Sequence, residues 1–420
     1  MAAAVILASQ VYLGFSEQNR SVRDTSRGAV RILTPSQAAY TPHTMLSIQS
    51  RAMLKRSNDW EGVFGAGFYP PGYPLTLRLA RIGGFPLEYV NFGLFICALA
   101  GLWAVCRLLG GEWLALPVVV FYTACGFNYW VLALFTSEAL VLPLSLAILL
   151  ALHRYTRIPR NGSLALLSLA CAAIFLARFH ALAWIFPIVG AHVLLAKHAT
   201  HGRRWTHLLV FALLSLLPIG LYMAHNMSET GYLTGMERFS ADARAPGLWE
   251  RETGFFDNIR LMLKTCFIDF ASPSHFAERS VNSHRYRPSL VEWLLLIAFA
   301  AYVGVVAISF LQSHGRAGAI GKLREKVAMY GTPTMALLVV EFYGAFIIVT
   351  IALWTVGNND PIYTRFMYPS YVFFILLVFL CNRGLVSVRG PVWASWLFRC
   401  LCAGIVMVNL AKVNQVLKWF

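Results

Sequence analysis

Charge is scarce in this chain: charged residues fill 13% of its 420 positions, about half their share in ordinary soluble domains. Acid is the rarer sign, with 19 Asp and Glu against 35 Lys and Arg, for a formal charge of +16. No Lys/Arg-rich soluble module accompanies that excess, so a nucleic-acid partner is not expected. The basic excess instead suits loops that hold membrane topology and touch anionic head groups. Cysteine gives no framework either. Of the eight, only Cys266 lies in a long loop, which supports neither disulfides nor a zinc site. His43, His180 and His192 lack metal-ligand spacing to another His or carboxylate. Met1 to Phe15 has no basic start and no small-residue cleavage site, so it reads as a short first helix rather than a signal peptide. No internal repeat stands out, as the paired halves of a transporter would show.

Apolar residues are what the chain has in abundance, at 58%. Runs of about 20 apolar residues recur from Leu87 to the C-terminus, the length a helix needs to cross the hydrocarbon core. Such continuous runs suit helices rather than the short alternating strands of a barrel. The expected fold is all-α: a polytopic transmembrane helical bundle of about eleven spans, forming a single integral membrane domain over 1–420. The spans are placed at 1–15, 87–109, 113–130, 136–153, 162–179, 181–197, 206–225, 290–312, 333–356, 366–382 and 392–412. Short loops carrying Arg154, Arg157, Arg160, Lys197, Arg203 and Arg204 then share one side with those at 316–326 and 383–389. The short loops of the other side hold almost no Lys or Arg, so the positive-inside rule points the first set to the cytoplasm. Two long loops, 16–86 and 226–289, face outward. The expected setting is a bacterial inner membrane with the active face toward the periplasm or an equivalent lumen.

In the first outer loop, Pro35 to Arg56 reads as an amphipathic helix with Met45, Ile48 and Ala52 on one face and Arg51, Lys55 and Arg56 at its end. It suits either the interface plane or packing on the bundle. Pro70, Pro71 and Pro74 then break regular structure and stiffen the return to the membrane. The second outer loop is rich in aromatic residues, among them Trp249, Phe255 and Phe267, and reads as a cap rather than a linker. Asn19-Arg-Ser21 and Asn226-Met-Ser228 match the glycosylation sequon.

Ionisable residues at span rims are costly and therefore candidates for function. Glu138 opens one span from the outside, Arg178 closes the next, and Arg365 begins a late one. Three distant segments thus bring two arginines and a carboxylate to one membrane face, where forked guanidinium groups suit a phosphate. Asp360 beside Arg365 is either a salt-bridge partner or part of a divalent-metal site. Tyr69, Tyr73 and Tyr363 are further polar candidates beside this cavity. Glu341 lies mid-span, either paired inside the bundle or on an ion path.

Four pieces, in this order and outward placement, carry a resemblance: Tyr69-Pro-Pro-Gly-Tyr-Pro74, Ser137-Glu138, Ala177-Arg178, and Asp360-Pro-Ile-Tyr-Thr-Arg365 with Tyr368-Pro369. The chain resembles the GT-C glycosyltransferases, which include the protein mannosyltransferases and the aminoarabinose transferase of lipid A. The resemblance implies transfer of a sugar from a polyprenyl-phosphate donor to an acceptor at the outer face. Arg178 and Arg365 would take the donor phosphate, and a first-loop acid would deprotonate the acceptor. The chain departs from the family at that acid. Its position falls near Tyr40-Thr-Pro-His43, where there is no carboxylate, which leaves Asp24 and His43 as the candidate bases; Asp59 and Glu61 lie at the far end of the loop helix. The missing acid keeps a second reading open, a catalytically inactive lipid-binding subunit of a membrane protein assembly. A transporter or flippase is the third.

Overall fold

A chain surrounded by lipid must satisfy its backbone hydrogen bonds internally, which turns long apolar runs into helices. The computed structural model describes residues 52–67, 69–125, 128, 135–196, 201–235, 335–356, 364–387 and 396–407, with single helical positions at 256, 259, 294, 297, 298, 301, 302, 304 and 305. Among these residues there is no strand. The short α1 (Trp60–Phe64) and α2 (Gly72–Ile82) precede the long elements. Then follow α3 (Val90–Gly110), α4 (Glu112–Ala124), α5 (Glu138–Arg157), α6 (Asn161–Ala177), α7 (Ala181–Leu195), α8 (His201–Thr230), α9 (Met335–Val356) and α10 (Thr364–Ser387). A final α11 covers Trp396–Met407. Four helices, α3, α5, α8 and α9, are long and apolar enough to cross a membrane. The described helices fall on the expected runs, with α4 stopping at Ala124, short of the expected 130, and α8 running from His201 to Thr230, beyond the expected 206–225. The expected span at 1–15 and most of that at 290–312 lie outside the described residues, as do most of the loop helix before Ala52 and the second outer loop beyond Gly235.

Helix α5 is the hub. It packs on α3, α6, α7, α9 and α10, while α8 bridges α6 to α7 and α10 returns to α4. Its apolar window is 67% buried, against 28–33% for the other three long helices, yet its mean hydropathy of 1.6 is the lowest of the four. A helix surrounded by protein can carry Ser145, His153 and Thr156, all buried here, at lower cost than polar groups facing lipid would incur. Apolar side chains gain little from leaving lipid for protein, so close packing must hold such helices together. Gly101 of α3 provides it, since a Cβ there would stand 3.1 Å from the Leu146 side chain of α5. On the far side Trp184 of α7 meets Phe342 and Phe346 of α9 edge-on, at centroid distances of 5.8 and 5.3 Å. Phe373 of α10 continues the stack at 5.9 Å from Phe342.

Prolines sit inside α4, α5, α7, α8 and α10. Packed neighbours and hydroxyl side chains tolerate these breaks in apolar helices. The alternation of helix directions gathers the C-terminus of α4, the N-terminus of α5, the C-terminus of α6, the C-terminus of α8 and the N-terminus of α10 at one end of the bundle. Arg154, Arg157, Arg160, Arg203 and Arg204 gather at the opposite, basic end.

Candidate functional site at the Glu138–Arg178 end

Two helix boundaries build the centre of this site. Helix α6 stops at Arg178, whose backbone is extended, and α7 starts again at Ala181. Ser137 precedes α5, and Glu138 occupies its first turn, where the positive end of the helix dipole favours a carboxylate. The Arg178 guanidinium meets the Glu138 carboxylate at 3.2 Å, with the two side chains 12% and 2% exposed. The Ser137 hydroxyl donates to the same carboxylate at 3.4 Å. A charge pair this deep is held together because either partner alone would be stranded in low dielectric.

The Pro-Pro-Gly turn seats directly on this pair's support. Gly72 begins α2, and a Cβ at that position would lie 2.8 Å from Ala177 N, Leu176 C and Leu176 O. Only glycine permits that backbone-to-backbone approach, which fixes the turn against the last residues before Arg178. Tyr73 follows, fully buried, and donates its hydroxyl to Asn91 Oδ1 at the start of α3. Burial pushes the Tyr73 phenol well above its usual range, and the Glu138 charge adds to the effect, so it stays a neutral donor. Tyr368, in the first turns of α10, also lies within electrostatic reach of Glu138. Its hydroxyl donates to Asn128 Oδ1 at 3.2 Å and accepts from Tyr122 at 3.4 Å. The Asn128 amide donates in turn to the Tyr122 carbonyl.

A second set of bonds ties the first loop to α8. Arg56 donates through Nε to Gly62 O at 2.9 Å, and through Nη2 to Val63 O at 3.0 Å and Gly65 O at 2.8 Å. Its Nη1 reaches Tyr69 O. The fork geometry of guanidinium suits this task of gathering several carbonyls. The arginine read at the end of an amphipathic helix is thus turned inward onto the loop. Tyr222 of α8 stacks on Phe179, just after Arg178, at a centroid distance of 6.2 Å. Its hydroxyl stands 3.2 Å from Gly65 O and 3.3 Å from Tyr69 O, close enough to donate to either. Asn226, fully buried, accepts from Gly67 N at 3.0 Å and donates to Leu233 O at 3.2 Å. Its sequon is therefore closed to modification in the folded chain. Gly235 completes the seam: its φ is +76°, and a Cβ there would fall 2.3 Å from Gly67 C.

Of the residues expected at the site, the structure brings Tyr73, Glu138 and Arg178 together, with Tyr69 alongside through its carbonyl. Arg365 belongs to the first turn of α10, the helix that carries Tyr368; its side chain lies outside the described residues, as do Asp24, His43, Asp360 and Tyr363. Asp59 and Glu61 are exposed, and Asp59 caps α1 by accepting from Gly62 N. Glu341 is paired with His192 of α7, Oε2 to Nε2 at 2.6 Å, far along the bundle from Glu138. Among the described residues no group of three or more His, Cys, Asp or Glu is arranged to hold a metal ion. The described cysteines are free thiols. Asn91, Asn128 and Tyr122 were not singled out from sequence. Their one available signal was an amide or phenol at the end of an apolar run.

Compared with protein-family models, curated proteins and solved structures, the chain matches none of them. Its function has to be argued from this geometry.

Proposed function

We propose that the chain is a multi-pass membrane glycosyltransferase of GT-C type, which moves a sugar from a polyprenyl-phosphate donor to an acceptor at the end carrying Glu138 and Arg178. One observation carries the reading. Residues from four sequence-distant pieces of the GT-C resemblance lie at one end: Gly72 rests on Leu176 and Ala177, Arg178 pairs with Glu138, and Tyr73 and Tyr368 lie within electrostatic reach of that carboxylate. Packing alone does not require the ends of α5 and α6, the Pro-Pro-Gly turn and the start of α10 to concentrate their polar groups at one point. A lipid phosphate held at the membrane surface does, because it needs fixed cations and neutral donors at that depth.

In this reading the polyprenyl tail lies along the helices and the donor phosphate faces Arg365 and Arg178. Glu138 holds Arg178 in place, and the buried tyrosines exclude water. A first-loop base, Asp24 or His43, takes the proton from the acceptor hydroxyl. The acceptor oxygen attacks the sugar's anomeric carbon, the bond from that carbon to the phosphate oxygen breaks, and polyprenyl phosphate leaves with its added charge on the arginines. The basic end, with Arg154, Arg157, Arg203 and Arg204, faces the cytoplasm, and the site faces the periplasm or a lumen.

A second reading has its own support. Glu138 is committed to Arg178, while Asp59 and Glu61 are exposed, Asp59 as a helix cap. An inactive, lipid-binding member of a membrane assembly fits that distribution. Incubation of the vesicle-reconstituted chain with undecaprenyl-phosphate-linked hexose and aminopentose separates the two. Appearance of undecaprenyl phosphate supports the transferase. Retention of the lipid with no sugar released from either donor supports the inactive subunit.

A further inference from the structure

The opposite end of the bundle holds a feature that the proposed chemistry does not use. Helices α6 and α8 pack along one another, and their N-terminal turns diverge around a cleft of 530 Å³. Asn161, Leu164 and Ala165 form its α6 wall, and Arg203, Thr206, His207 and Val210 its α8 wall. The spacing of both sets is that of one helix face. Polar groups come first along each helix and apolar ones follow, so the cleft grades from a polar mouth to an apolar floor.

The His207 ring is fixed by Tyr155 of α5, whose hydroxyl lies 2.8 Å from Nδ1, and both residues are buried. Arg203 is exposed and makes no ion pair among the described residues. Its own stretch of chain offers no acid, since Ala139 to Ser228 contains no Asp or Glu, and Glu112 at this end pairs with Arg107 at 3.8 Å. That stretch nevertheless brings Arg154, Arg157, Arg160, Arg203 and Arg204 to this end. A counter-charge from outside the chain suits this end. Both long helices also direct their positive dipole ends toward the mouth.

The neighbours of the cleft identify the source. Trp205, exposed and between Arg203 and Thr206 in the chain, is the residue type that settles at head-group depth. Further along the same two helices Leu166 and Leu169 of α6, and Leu209 and Leu213 of α8, are exposed. A soluble anion has no use for that continuation, whereas a phospholipid fills both parts, with phosphate at Arg203 and Thr206 and acyl chains along the leucines. We infer that this cleft is a specific seat for the phosphate of an anionic phospholipid, on the opposite face from the proposed donor site.

Native mass spectrometry of the full chain, equilibrated with mixed phosphatidylglycerol and phosphatidylcholine micelles, tests the inference. One phosphatidylglycerol is expected to stay bound in preference to phosphatidylcholine. Arg203→Ala should weaken its retention by about tenfold, the scale of one charge-assisted hydrogen bond. Arg203→Lys, which keeps the charge but not the fork, should fall between. Arg107→Ala, at the same end but outside the cleft, should retain the lipid as the unaltered chain does. Arg203 and Arg107 are both exposed, so neither substitution threatens the fold. Equal retention of the two lipids, or equal losses from Arg107→Ala and Arg203→Ala, overturns the proposal. Displacement of the lipid by millimolar inorganic phosphate also overturns it and assigns the cleft to a soluble anion.

Discussion

Replacing Gly72 with alanine adds one methyl group where the Pro-Pro-Gly turn meets the end of α6. The new carbon would stand 2.8 Å from three atoms, Ala177 N, Leu176 C and Leu176 O. Comfortable contacts between carbons lie at about 3.5–4.0 Å. All three obstructing atoms are backbone, so no rotamer change relieves the clash, and α2 must move away from α6 by a good fraction of an ångström. Overpacking of this kind costs about 1–3 kcal/mol. Gly93 supplies the internal control. It lies within α3 with nothing within 4 Å of its would-be Cβ, so Gly93→Ala should be neutral or gain up to about 1 kcal/mol from helix propensity. Unfolding in mixed micelles, followed by labelling of the buried Cys171 thiol, compares the two directly. Gly72→Ala should unfold first, by about 1–4 kcal/mol relative to Gly93→Ala. Equal stability of the two variants would refute the close seating of the turn, and with it the convergence on which the functional reading rests.

The buried pair gives a second test. Glu138→Ala leaves Arg178 without its carboxylate in a nearly closed site and should cost about 3–5 kcal/mol, while the double change Glu138→Leu with Arg178→Met should recover much of that loss. Strict additivity of the single changes would show that the two charges are not coupled. Arg56→Lys replaces a fork with a point charge, which cannot reach the carbonyls of Gly62, Val63, Gly65 and Tyr69 together. Amide hydrogen exchange at Val63 and Gly67 should then speed up by at least about tenfold, as expected from losing one or two such bonds. Unchanged protection would remove Arg56 as the clasp of the first loop.

The sequence makes the helices legible because long apolar runs announce themselves by length and composition. The runs placed at 136–153 and 162–179 appear as Glu138–Arg157 and Asn161–Ala177, differing by a few residues at their ends. It also makes legible that Glu138 and Arg178 share one end, since alternating helix direction follows from counting spans. What it hides is which helix lies at the centre. The position of α5 depends on how five neighbours close around it, and its low hydropathy reads equally well as a weaker span. It hides side-chain partners for the same reason. Nothing local in Arg56 distinguishes an arginine that faces water from one that gathers four carbonyls. The His192 partner of Glu341 comes from another helix, and only packing brings the two within 2.6 Å.

The central claim is that the Glu138–Arg178 end, with the start of α10, holds a polyprenyl phosphate. Its most direct test is equilibrium binding of undecaprenyl phosphate to the full chain in phosphatidylcholine nanodiscs, for the unaltered chain and for Arg365→Ala. Saturable binding is expected for the former, weakened by about tenfold or more in the latter while the chain stays folded. Absence of saturable binding, or identical affinity in the two proteins, would contradict the account.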